Sequence, residues 1–164
     1  RKPIIFAVQG YCYTWGVETM LNADIRVAAS DTRFCMLEVR RGFFPAGGAT
    51  LRLPREIGWA NAMRYLLTGD EWSADDAYRM GLVQFVTEPG RQLDKAMELA
   101  RRAAAAAPLG VRNILQNSRI AATQGESAAK QTIFQDQVAI MRSEDMKEGL
   151  LSFIERRAAV FKGK

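Results

Sequence analysis

Two glutamates, Glu18 and Glu38, stand twenty positions apart in the stretch from Gln9 to Thr50. That stretch reads as strand, tight turn, helix, second strand and a glycine-bearing loop. Glu18 follows Thr14-Trp15-Gly16-Val17, after the apolar run Ile4–Val8. Glu38 follows the extended run Phe34-Cys35-Met36 and precedes Gly42, Pro45, Gly47 and Gly48. Each lies just past a turn where backbone N–H groups lack local acceptors. Two carboxyl groups and such a turn are enough for acid–base chemistry beside a developing oxyanion. Spacing alone leaves their convergence open, because an acid in the first turn of a helix is equally explained by the helix dipole.

Other chemistries are closed by residue type. The chain has no histidine, which removes Ser-His-Asp and Cys-His catalysis and any metal site built on imidazole. Its two cysteines, Cys12 and Cys35, lack metal-type spacing and read as buried thiols. No metal site is expected, and a cytoplasmic location is the expectation that follows. The net charge of +5 and pI near 9.5 come from scattered pairs such as Arg40-Arg41, Arg101-Arg102 and Arg156-Arg157. That pattern suits a solvated surface, or a phosphorylated small ligand, better than a nucleic-acid footprint. No apolar run approaches the roughly 20 residues of a membrane span, so no membrane partner is expected. No secretory signal is read at the N-terminus, which opens on Arg1-Lys2-Pro3.

The positioning elements follow from periodicity. Ile4–Val8 reads as a strand buried on both faces. Val17–Ala23 has helical spacing, and Ile25–Ala28 reads as a second strand, giving a parallel βαβ unit. A helix from Ala49 is interrupted or continued through Pro54, and Trp59–Leu67 is amphipathic, capped by Gly69. Ser73 is an N-cap for a short helix closed by Gly81, and Leu82–Val86 reads as a strand. From Leu93 the pattern is helical: Leu93–Ala107, a helix opened by Pro108, Ser127–Met141, and Glu144–Phe161 with Ser143 as N-cap. Residues 1–90 are thus expected to form an α/β part and residues 91–164 a helical region.

The run Gln9 to Glu18 (QGYCYTWGVE), followed by Asn22-Ala-Asp-Ile-Arg26, resembles the glycine-rich catalytic stretch of the crotonase (enoyl-CoA hydratase/isomerase) family. Phe34 to Val39 and Gly42 to Pro54 resemble that family's second catalytic segment. Leu67-Thr-Gly69, Ala77 to Val83 and the C-terminal run from Ser143 to Gly163 extend the resemblance over the whole chain. It implies a partial β-β-α spiral core followed by a helical trimerisation region. Family members are longer at the N-terminus, so the chain is expected to be the C-terminal majority of a subunit. The absent part would supply further spiral repeats, much of the CoA adenine pocket and another oxyanion-hole amide.

By the same resemblance, Glu18 and Glu38 are the catalytic pair for syn addition of water to a trans-2-enoyl-CoA thioester. Glu18 would hold and deprotonate the water and Glu38 would protonate the α carbon, though the two roles are open to exchange. The backbone N–H of Trp15 falls at the family's middle glycine and would donate to the thioester oxygen. Tyr13, Pro45 and Gly47 would border the acyl group. Phe153 and Arg156 would reach a neighbouring subunit's CoA in a homotrimer or dimer of trimers, and Arg156 reads equally well as a solvated helix residue. No cofactor is implied, since CoA belongs to the substrate.

The sequence departs from the family where Thr14-Trp15-Gly16 replaces a run of glycines. An indole there must point away from the ligand or reshape the pocket. Leu37 for proline and Ala46 and Ala49 for glycines are milder changes. Alternatives are a double-bond isomerase, dehalogenase or hydrolase of the same fold, an RNA-binding crotonase-like protein, and an inactive scaffold portion.

Overall fold

The computed structural model describes residues 2–164, which form two compact units. One is Ile4–Leu99; the other is Ala100–Lys164 together with residues 2–3. The described residues contain six strands and eight α-helices. In the first unit these are β1 (Ile5–Val8), β2 (Tyr11–Tyr13), α1 (Trp15–Met20), β3 (Ile25–Ala29), β4 (Arg33–Cys35), α2 (Ala49–Ile57), α3 (Trp59–Thr68), β5 (Trp72–Ser73), α4 (Ala74–Arg79) and β6 (Phe85–Thr87). Helix α5 (Gln92–Ala104) runs out of that unit, and α6 (Pro108–Gln124), α7 (Glu126–Met141) and α8 (Glu144–Glu155) complete the chain. The fold is α/β with a helical C-terminal region.

The expected βαβ unit is present. β1 pairs in parallel with β3, Ile5 opposite Ile25, and β3 pairs in parallel with β6. Asp24 fastens the start of this pairing: its carboxylate accepts the Ile4 N–H at 2.8 Å, and its own N–H donates to the Ile4 carbonyl at 2.8 Å.

A second sheet, in the order β2-β4-β5, was not evident from periodicity. β2 spans just three residues, too few for alternation to stand out. Its pairing with β4 is parallel, Tyr13 opposite Cys35, and the Thr14 N–H continues it to the Cys35 carbonyl at 2.7 Å. Both strands therefore end side by side. β2 leads into α1, which carries Glu18, and β4 leads into the 3-10 turn Glu38–Arg41. This register, rather than any local motif, brings the two acidic segments to one edge.

The core beneath them is built on Trp72, Tyr65, Phe34, Met20, Leu53 and Leu82, all essentially inaccessible to solvent. Trp72 stacks on Phe34 with ring centroids 5.8 Å apart and tilts against Tyr65 at 4.5 Å. Expected boundaries move, and the choice left open at Pro54 is resolved. α1 begins at Trp15 instead of Val17 and ends at Met20. Pro54 continues α2, giving up a single N–H donor. Leu82 and Val83 are buried in a turn after α4, their N–H groups both on the Ala77 carbonyl, and the strand starts at Phe85. Their apolarity serves the core rather than a sheet.

In the helical unit α6 and α7 pack as a hairpin about Gly125, and the Asn117 side-chain amide donates to the Ala129 carbonyl at 2.9 Å. Among the described residues no helix is long and apolar enough to cross a membrane. The last helix stops at Glu155, short of the expected Phe161, because Arg156 turns left-handed (φ 54°). The tail then folds back along α8. Asp145, 4% exposed, accepts the Lys162 and Gly163 N–H groups at 2.7 and 2.8 Å. Glu148 accepts the Val160 N–H and pairs with Arg157, which holds its carboxyl down at about 2. Hydrogen bonds to a charged acceptor are worth roughly 1.5–3 kcal/mol each. Asp145→Ala should therefore speed amide exchange at Lys162 and Gly163 more than tenfold. Unchanged protection of those amides would show that the tail is held by something else.

Candidate active site

Glu18 sits at the fourth position of α1 with its carboxyl turned inward, 3% exposed. One of its oxygens, Oε1, accepts the N–H of Ala49 at 3.1 Å. Ala49 is the first residue of α2, where the N–H has no acceptor within the helix, so a helix terminus orients the carboxylate. The other oxygen lies against Gly47. A Cβ built on Gly47 would stand 2.8 Å from the Glu18 carboxyl carbon and 2.9 Å from Cζ3 of Trp15. Glycine is needed there for space and not for backbone torsion.

Arg52 secures the loop. Its guanidinium donates to the Gly47 carbonyl at 3.0 Å and occupies the space that a side chain at Gly48 would take. Gly48 itself adopts φ 106° as the N-cap of α2, a torsion that suits glycine.

Glu38 opens the 3-10 turn after β4 and is 4% exposed. Its Oε2 has no hydrogen-bond partner among the described residues. Burial pushes its pKa up, a backbone hydrogen bond opposes this, and the nearby charge of Glu18 pushes it up further. Glu38 is thereby biased toward its protonated form. One buried acid held by an amide and a second biased toward neutrality is an arrangement that can both activate a water and deliver a proton.

Trp15 is the first residue of α1, so its N–H is unclaimed by the helix and points out of its N-terminal end. The preceding Thr14 has φ 48° and ψ −108°, a torsion pair that glycine takes readily and a β-branched residue does not. Of the glycines replaced in this stretch, the strain thus falls on Thr14 and not on Trp15. Thr14→Gly should raise the urea midpoint, by about 1 kcal/mol in unfolding free energy. An unchanged or lower midpoint would show that hydrogen bonding at Thr14 already offsets the strain.

The other expected site residues are placed as follows. Tyr13 stands edge-on to Tyr11 at 5.2 Å and its hydroxyl donates to Glu71, which pushes its pKa up to about 12. Pro45 is buried in the loop before Gly47. Phe153, 82% exposed, and Arg156 at the end of α8 belong to the helical unit. Trp15, Glu18 and Gly47 are brought together, and Glu38 starts from the strand paired with β2. The residues that sequence reading missed are Ala49, which acts through its amide, and Arg52. An amide leaves no mark in side-chain identity; the glycine pair before Ala49 was the available signal.

The family model described as enoyl-CoA hydratase/isomerase matches residues 1–164. Enoyl-CoA hydratase EchA19 of Mycobacterium tuberculosis is 37% identical over 163 residues, 99% of this chain and 61% of that protein. (E)-benzylidenesuccinyl-CoA hydratase of Thauera aromatica is 39% identical over 166 residues, 99% of this chain and 63% of that protein. The crystal structure of a probable enoyl-CoA hydratase/isomerase from Mycobacterium abscessus superposes with a TM-score of 0.97 at 41% identity, over 100% of this chain and 65% of that one. The chain thus spans less than two thirds of the length of these relatives. With a family-model match along its full length and relatives at 37–41% identity, the chain belongs to the enoyl-CoA hydratase/isomerase, or crotonase, family.

Proposed function

We propose that the protein carrying this chain is an enoyl-CoA hydratase that adds water in syn fashion to a trans-2-enoyl-CoA thioester. The observation that carries this reading is the buried Glu18–Glu38 pair, with Glu18 oriented by the Ala49 amide. Glu18 holds the water and takes its proton as the oxygen bonds to the β carbon. Electron density moves through the double bond onto the thioester oxygen, where the Trp15 N–H stabilises it. One such donor is typically worth about 3 kcal/mol of barrier. Glu38, protonated, then delivers a proton to the α carbon, and the thioester carbonyl re-forms. Retention of both acids favours hydration over isomerase or hydrolase chemistry, which needs one.

The apolar side chains left open on the helical unit, among them Ile114, Phe134, Leu150 and Phe153, suit burial in a homotrimer or dimer of trimers. Phe153 and Arg156 would then meet a neighbour's CoA. A reducing, cytoplasmic setting suits the two free buried thiols.

The test is hydration of crotonyl-CoA by the full-length protein, followed as loss of the ultraviolet absorbance of the conjugated thioester. Turnover at an ordinary enzymatic rate is expected. Absence of turnover alongside isomerisation of a 3-enoyl-CoA would assign the site to the isomerase branch instead.

A further inference from the structure

We propose that the indole of Trp15 is the acyl-selecting wall of this site, favouring enoyl-CoA thioesters that carry a planar aromatic group on the β carbon. The inference rests on the hydratase reading and goes beyond it to the class of substrate. Trp15 contributes two separate groups. Its N–H is the oxyanion donor, while its ring reaches Gly47 at the point where the Glu18 carboxyl also packs, as the short contacts of a Cβ at Gly47 show. Ring and carboxyl are neighbours across one glycine.

The water held by Glu18 bonds to the β carbon, so the substituent on that carbon is the part of the substrate brought nearest the ring. Trp15 stands outside the buried core cluster that encloses Trp72. An indole that is not used for core packing and stands beside a buried carboxyl offers a flat π surface to a flat partner. Aromatic pairing adds roughly two- to tenfold in affinity beyond the area buried. A flexible alkyl chain gains the area alone and has to bend around the ring.

The test uses the full-length protein and compares cinnamoyl-CoA with trans-2-octenoyl-CoA as substrates. In parallel, equilibrium binding is measured for 3-phenylpropanoyl-CoA and octanoyl-CoA, which have no double bond to hydrate. The wild type is expected to prefer the phenyl compound in both assays. Trp15→Gly, which keeps the amide, should lower that preference about tenfold, and Trp15→Phe should retain most of it. A phenyl preference that Trp15→Gly leaves unchanged, or tighter wild-type binding of octanoyl-CoA, would overturn the proposal. Trp15-dependent binding of the phenyl analogue without hydration of any enoyl-CoA would uphold the selecting wall and reject the hydratase reading. If Trp15→Gly fails to fold, Trp15→Ala replaces it with the same expected loss of preference, and the wild-type binding ratio is read as before.

Discussion

Glu38→Gln is expected to lower kcat for crotonyl-CoA hydration by about 10³-fold, within the range found for a general acid, while KM changes little. Glutamine matches glutamate in shape and cannot release a proton to carbon. Among the described residues none hydrogen-bonds to Glu38 Oε2, which is buried. The pH dependence supplies an independent check. The pKa of Glu38 is raised by burial and, less, by Glu18, so its acid form persists above the ordinary carboxylate range. Activity that needs the acid should fall as pH rises through that raised value, and the Gln variant should lack this limb. Stability moves with the same titration. A neutral carboxyl suits the buried site, so its contribution is complete below the unfolded pKa and is lost as pH rises through the folded one. Glu38→Gln should consequently melt higher than wild type on the alkaline side while being nearly inactive. A variant within tenfold of wild-type kcat, or one that keeps the alkaline limb, would remove Glu38 from the acid role.

Gly47→Ala is the second large effect. A single added methyl meets the Glu18 carboxyl carbon at 2.8 Å and the Trp15 ring at 2.9 Å, where ordinary contacts begin near 3.4 Å. The loop cannot retreat freely, since Arg52 grips the Gly47 carbonyl and Ala49 is committed to Glu18. The carboxylate must therefore shift by on the order of 1 Å, and a misplacement of that size costs about 10²-fold in rate. Steady-state kinetics should show the loss mostly in kcat, with a thermal midpoint within a few degrees of wild type. Activity within threefold of wild type would mean that the position of Glu18 does not limit the reaction.

The reach of sequence reading differs from residue to residue. The β1-α1-β3 unit was legible because Ile4–Val8 is a continuous apolar run and Ile25–Ala28 is apolar but for Arg26, with a helical spacing between them. Strand β2 was not, since three residues between Gly10 and Thr14 carry no period. Yet its register with β4 is what sets Glu18 and Glu38 at one edge. Their residue types could be read as acid–base candidates, but their proximity depends on pairing between strands far apart in the chain. The early end of α8 was hidden for a different reason. Arg156 takes the left-handed turn that a glycine would have announced, and the acceptors that hold the tail, Asp145 and Glu148, lie well before it. Ser73, by contrast, caps α4 as its type and spacing indicate, with Asp76 completing the reciprocal box.

Trp15, Glu18, Glu38, Gly47, Ala49 and Arg52 all come from one uninterrupted span of chain, closed at its far end by the Arg52–Gly47 bond. A graft of this span between homologous scaffolds would carry the Glu18–Ala49 and Arg52–Gly47 bonds with it. Its C-terminal boundary belongs after Arg52, because a junction placed before it would leave the Gly47 carbonyl without its donor.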